Sequence, residues 1–177
     1  MLIIQPMKGW QNYMPISHKY KLFTLKNIQA PNFLMTALEL KDYIDFPVKR
    51  IYFITSPGGE FKTGNHAHRV QEDEMFVMVQ GSCTISVDDG HGIEDIVLTG
   101  PKSMIVIPHL VWHGFKNLSK DAIILAVSST NYDPARPDYI NDYQEFQRLV
   151  GESSSTGDMA KGQVGTPKVG GDSPTEL

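Results

Sequence analysis

Between residues 20 and 129 the chain is a succession of short apolar or alternating segments, each broken by Gly, Pro, Asn or Asp. That texture predicts strands, because side chains alternate faces with period 2 and turn formers close each run. Residues 32–40 and 49–55 are rich in apolar, aromatic and branched side chains, and residues 75–79 form an unbroken apolar run closed by Gln80 and Gly81. Residues 82–87 alternate and lead into Asp88, Asp89, Gly90 and Gly92, a hairpin turn by composition. Further strand-like runs fall at 96–98, 104–107, 113–116 and 122–127. Their spacing predicts an all-β domain, either a closed barrel or a sandwich. The period changes near the end. Tyr139, Ile140, Tyr143, Phe146 and Leu149 recur at helical spacing, which predicts a C-terminal helix over 137–150 with one apolar face on the sheets.

Residues 151–177 are dominated by Gly, Ser, Thr, Pro and scattered charges, with no aromatic side chain. Such a segment buries too little surface to offset its ordering entropy, so it is expected to be a disordered tail behind a single domain spanning 1–150. A net charge of −4 without a clustered basic face argues against nucleic acid as a partner. The lone cysteine, Cys83, sits in a strand pattern and reads as a small buried hydrophobe, with no intramolecular disulfide to form. The apolar run at the start is too short for a signal peptide and lacks a basic flank. No stretch approaches the roughly 18 apolar residues of a membrane span. The expectation is a cytoplasmic protein that meets neither membrane nor nucleic acid.

The candidate chemistry sits in Gly64-Asn65-His66-Ala67-His68-Arg69. On a strand, His66 and His68 point to one side and can converge on one point inside a barrel. Glu74 follows, just before the apolar run. A second motif reads Pro108-His109-Leu110-Val111-Trp112-His113-Gly114-Phe115-Lys116-Asn117. Together the two resemble the cupin superfamily, with H-x-H and E in a first motif and P-x-G-x-x-H-x-x-x-N in a second. The resemblance implies a cupin-type β-barrel, or jelly roll. His18 and His91 lie in loop-like segments and His109 at a turn, so none shares the strand parity of the first pair.

A longer run of features resembles one branch of the cupins, the nucleotide-sugar 3,4-ketoisomerases. The resemblance covers residues 46–150 and rests on Phe46-Pro47-Val48-Lys49-Arg50-Ile51-Tyr52, on the Gly64 motif, on Gly81 to Gly90, and on Trp112-His113. It closes with Asp138-Tyr139-Ile140-Asn141-Asp142-Tyr143, which looks like the family's D-Y-I-R-x-Y. It implies an isomerase that converts a dTDP-4-keto-6-deoxyhexose into its 3-keto isomer without a cofactor, and it implies a homodimer. The apolar segment at 33–40 is suited to extending a neighbour's sheet edge. The reaction takes a proton from C3, passes through an enediolate, and returns a proton to C4. A neutral imidazole serves both halves. By resemblance, His66 is the leading base and His68 its partner. Lys49, Arg50 and Tyr52 are placed to hold diphosphate or the oxyanion, with Lys62, Glu74 and His113 completing the substrate site.

The chain departs from both patterns. The spacer from His68 to Glu74 is one residue longer than usual, and Leu110 stands where the second motif has Gly. Thr63 precedes Gly64 where the ketoisomerases have Arg, and Gln29-Ala30-Pro31-Asn32 replaces an early D-x-R-G. Lys62 supplies a charge near the missing Arg but not its bidentate geometry. Glu74 is acidic where the family tends to carry Gln, which restores the carboxylate of a metal-binding cupin. Two other readings therefore stand beside the isomerase. One is a metal-dependent cupin enzyme with His66, His68, Glu74 and His113 on a divalent metal. The other is a non-catalytic cupin that binds a sugar nucleotide.

Overall fold

The computed structural model describes residues 17–57 and 62–159. Among these, two five-stranded antiparallel sheets face each other, with a small hairpin and one helix outside. The first sheet orders β1 (Lys21–Thr24), β9 (Ser103–Ile107), β6 (Glu74–Gln80), β11 (Ile123–Ser128) and β4 (Arg50–Thr55). The second orders β12 (Tyr139–Ile140), β5 (Thr63–His68), β10 (Trp112–Lys116), β7 (Ser82–Asp88) and β8 (Glu94–Thr99). The hairpin is β2 (Asn27–Ala30) with β3 (Phe33–Thr36). This is the expected all-β jelly roll.

The pattern of burial follows from position. β6 lies mid-sheet and is covered on both faces, which is why it reads as a continuous apolar run rather than an alternating one. Phe76 and Met78 point into the core between the sheets with Ile85, Ile105 and Ile124. Met75 and Val77 point outward into a second cluster capped by Leu25, Tyr43 and Ile44. The loop carrying Tyr43 includes a 3-10 turn, Leu40–Asp42, so the strand expected over 32–40 stops at Thr36.

The C-terminal helix differs from the sequence expectation at both ends. α1 spans Tyr143–Met159 rather than 137–150, and Tyr139 and Ile140 pair with His68 and Ala67 as strand β12. Asp142 sets the start, because its Oδ1 accepts the backbone N–H of Glu145 at 2.8 Å and so caps the first turn. The helix continues past Val150 into the segment assigned to the tail, and residues 160–177 lie outside the described residues. Its apolar stripe does reach the sheet. Ile140, Phe146 and Val150 bury with Ala67 and Trp112 in one cluster. No helix among the described residues is long and apolar enough to cross a membrane.

Candidate active site

The two central motifs meet because β5 and β10 are neighbours and His113 stands opposite His66 in their register. The ladder slips between His113 and Gly114, leaving Asn65 as the extra residue of a β-bulge. Gly64 and Asn65 take φ of +82° and +58° there. The bulge turns the following residues so that His66 and His68 face inward, as strand parity predicts. Leu110, in the place of the second motif's Gly, has φ +54°, the left-handed conformation that favours Gly, and its N–H reaches the carbonyl of His68 at 2.7 Å. The departure is therefore one of side chain and not of backbone course.

A cavity of about 600 Å³ opens between the sheets. His66, Glu74, His113, Arg50, Tyr52 and Lys62 line it, so six of the eight expected site residues share one wall system. His68 lies behind them, 2% exposed. His66 Nε2 is 3.2 Å from His68 Nε2, and the His66 ring lies 4.7 Å from that of His113. Lys49, expected beside Arg50, is exposed and does not line the cavity.

Glu74 ties these groups together. Its Oε2 lies 3.3 Å from His113 Nε2 and 3.5 Å from His68 Nε2, while Oε1 accepts the Tyr52 hydroxyl at 2.7 Å. Burial opposes its charge, but the imidazoles of His113 and His68 outweigh burial and hold the carboxyl well below the usual range. Burial and then the Glu74 charge push the Tyr52 phenol upward, so it stays protonated and donates. Burial, reinforced by the neighbouring imidazoles of His113 and His68, lowers His66 to about 3. His66 is thus a neutral imidazole with a lone pair at physiological pH. His113 Nδ1 faces the Val111 carbonyl at 3.1 Å, which leaves Nε2 for the cavity, where no protein hydrogen bond satisfies it among the described residues.

Several further side chains at the cavity are not among the expected site residues. Tyr139 stacks on His66 with ring centroids 4.4 Å apart, and Tyr132, Arg136 and Asn141 line the same cavity. The guanidinium of Arg136 sits over both tyrosine rings, at 5.9 Å from Tyr132 and 5.3 Å from Tyr139. Glu72 is a second buried acid. It pairs with Arg50, accepts the Ser128 hydroxyl at 2.7 Å, and lies 3.5 Å from His68 Nδ1. Arg50 therefore spends one nitrogen on Glu72 rather than standing free for phosphate. Tyr139 and Asn141 fall within the terminal motif, but the helical reading of that stretch turned them away from the site.

The chain is similar to several known proteins. Residues 18–151 match the family described as FdtA: WxcM-like, C-terminal. TDP-4-oxo-6-deoxy-alpha-D-glucose-3,4-oxoisomerase of Aneurinibacillus thermoaerophilus is 32% identical over 130 residues, covering 73% of this chain and 91% of that protein. The WlaRB TDP-quinovose 3,4-ketoisomerase of Campylobacter jejuni superposes with a TM-score of 0.66 at 33% identity, covering 73% of this chain and 98% of that one. QdtA, a sugar 3,4-ketoisomerase from Thermoanaerobacterium thermosaccharolyticum solved with TDP, gives a TM-score of 0.69 at 25% identity, covering 78% and 98%. With the two histidine motifs, the jelly roll and a family match over most of its length, this chain belongs to the FdtA (WxcM-like, C-terminal) family, alongside the cupin-type sugar 3,4-ketoisomerases.

Proposed function

We propose that the protein is a 3,4-ketoisomerase of a dTDP-4-keto-6-deoxyhexose, with His66 as the proton-transfer base. The observation that carries this is the placement of His66 on the cavity wall, opposite His113 in the register of β5 and β10 and with its Nε2 3.2 Å from that of His68. His66 takes the C3 proton, and the electrons of that C–H bond form the C3–C4 double bond while charge moves to the oxygen on C4. The same imidazole, now protonated, returns its proton to C4. The C3 hydroxyl gives up its proton as the C3 carbonyl forms, and the oxygen on C4 gains one. Atoms balance with no outside oxidant. The enediolate charge needs donors fixed before it develops. Tyr139, stacked against His66, and Arg136 over the Tyr139 ring are two such groups on the cavity wall. Lys62 and Arg136 supply the positive charge for a diphosphate, and the cavity volume is of the size that holds a small ligand. The relatives that match act on TDP-linked keto sugars, which supports this substrate class. An NMR time course with dTDP-4-keto-6-deoxyglucose, showing the 3-keto isomer or nothing, tests the reading.

One observation favours a second reading. The ligand atoms of His66, His68, Glu74 and His113 lie within 4.8 Å of one another, and His113 turns its Nε2 toward Glu74 Oε2 at 3.3 Å. Three imidazoles and a carboxylate fit a divalent transition metal, which would supply Lewis acidity. In that case the histidines hold the ion, and the proton carrier must be sought elsewhere on the cavity wall.

Assembly follows from the surface. Phe33, Leu34 and Met35 on β3, with Ile51 and Phe53 on the sheet-edge strand β4, are large, apolar and exposed. We read these two faces as the contact with a second copy of the chain, giving a homodimer.

A further inference from the structure

A second cluster stands outside the cavity, where β1 of the first sheet approaches the β7–β8 turn of the second. His18 Nδ1 lies 3.2 Å from Asp89 Oδ2 and His91 Nδ1 lies 2.8 Å from Asp89 Oδ1. The three ligand atoms fall within 4.8 Å of one another. We propose that His18, Asp89 and His91 bind a divalent transition metal of the zinc type, as a staple between the two sheets at this end of the jelly roll.

Three observations support it. Two imidazoles converge on one carboxylate from segments far apart in the chain, which random surface histidines do not do. The Asp89 side chain is 1% exposed; its ion-pair partners among the described residues are these two imidazoles, and its Oδ2 also accepts the backbone N–H of Lys19 at 2.8 Å. A buried carboxylate is costly unless a cation compensates it. The surroundings add negative charge rather than relieve it. Asp88 is also buried, with its oxygens taken by the N–H groups of Gly90 and Gly92 and by the Tyr143 hydroxyl. Glu94 accepts the Tyr20 hydroxyl beside His18, whose ring stacks on that of Tyr20 at 4.7 Å. The histidines are 35% and 47% exposed, so an ion can enter and water can complete its coordination. Two nitrogens, one carboxylate oxygen and a water are a donor set that zinc accepts in four-coordinate geometry. The site would tie the entry to β1 onto the turn that packs against α1, and so hold together elements from both sheets.

The test is calorimetric titration of the chelator-stripped full-length protein with zinc chloride. It is done in a His66→Ala, His113→Ala background, which leaves the cavity cluster only His68 and Glu74, with and without His91→Ala. One zinc is expected to bind in the background, and adding His91→Ala is expected to weaken it by about 10–100-fold or more, since even outer-sphere partners cost that much. Zinc should raise the thermal midpoint of the first protein and not of the second. Binding that ignores His91→Ala, or no binding in the background, overturns the proposal. A zinc-soaked crystal of the unaltered protein decides independently. An anomalous peak between His18 and His91 supports the site, and zinc in the cavity alone refutes it.

Discussion

A Cβ on Gly64 would stand 2.8 Å from the Cα of Gly114, and one on Gly114 would stand 2.7 Å from the backbone nitrogen of Asn65. The two glycines let β5 and β10 touch backbone to backbone at the bulge, and this contact holds His66 opposite His113. Gly64→Ala meets both a positive φ and a backbone atom that cannot yield. It is expected to destabilise the fold by about 1–3 kcal/mol and to lower turnover further by moving His66. Thermal unfolding together with kcat checks both effects, and unchanged values for both would show that the contact does not position the site.

His66→Asn keeps a polar side chain of similar size but removes the basic nitrogen. Turnover of the 4-keto sugar should fall on the order of 10²–10⁴-fold, with the affinity for the dTDP moiety little changed. A loss confined to KM would assign His66 to binding rather than to proton transfer.

The same residue gives stability a pH dependence with a definite sign. In the fold, burial and the neighbouring imidazoles hold His66 down to about 3, far below an unfolded histidine at about 6.5. Between these values the unfolded chain binds a proton that the folded chain refuses, so stability falls as pH falls from about 6.5 and the loss levels off near 3. The contribution approaches about 1.4 kcal/mol per pH unit within that window. Glu74, held low in the fold, also favours the folded state at higher pH, and that contribution is lost as pH falls through and below the ordinary carboxylate range. Urea unfolding at pH 7 and pH 5 should therefore show an acid-side loss that His66→Asn reduces. Equal losses in both proteins would count against a buried neutral His66.

Much of this was legible in the chain. Alternation and turn residues locate most of the strands, and the spacing of His66 and His68 puts both on one face. The failures have physical causes. Tyr139 and Ile140 share the helical period of Tyr143 and Phe146, and only the cap at Asp142 reveals that they belong to a strand pairing with His68. Glu72 and Arg136 reach the site through a turn and a loop, Arg136 with a positive φ of 49°, and no periodic pattern announces such positions. Arg50 was expected to meet phosphate, but its partner Glu72 is 22 residues away in sequence and could be found only in three dimensions.

The proposed homodimer rests on exposed apolar side chains, of which Phe53 at 66% and Ile51 at 59% are the most prominent on β4. Burying such residues against a second copy contributes about 25 cal/mol per Å² of apolar surface removed from water. Phe53→Glu puts a charge at that contact and leaves the monomer core untouched. Light scattering should show a dimer for the unaltered chain and a monomer for the variant. A monomeric unaltered protein at micromolar concentration would remove this assembly.

The last prediction decides between the two readings of the cavity. If His66 carries protons, treatment with EDTA followed by buffer exchange should leave turnover unchanged, and added Mn, Fe, Ni or Zn should not raise it. If the four residues hold a metal, EDTA should abolish turnover and one of these ions should restore it, because metal ligation and its loss are linked to the protonation and geometry of the ligands. Glu74→Gln separates the readings a second way. It keeps the hydrogen bond from Tyr52 at 2.7 Å but removes the only anionic ligand among the four. A proton-transfer site should retain most of its rate with Gln at this position, since His66 and its contact with His68 stay in place. A metal site should lose its ion. We expect the first outcome, because His66 lies on the cavity wall, where a substrate C–H can reach it, with His68 at 3.2 Å to share the proton.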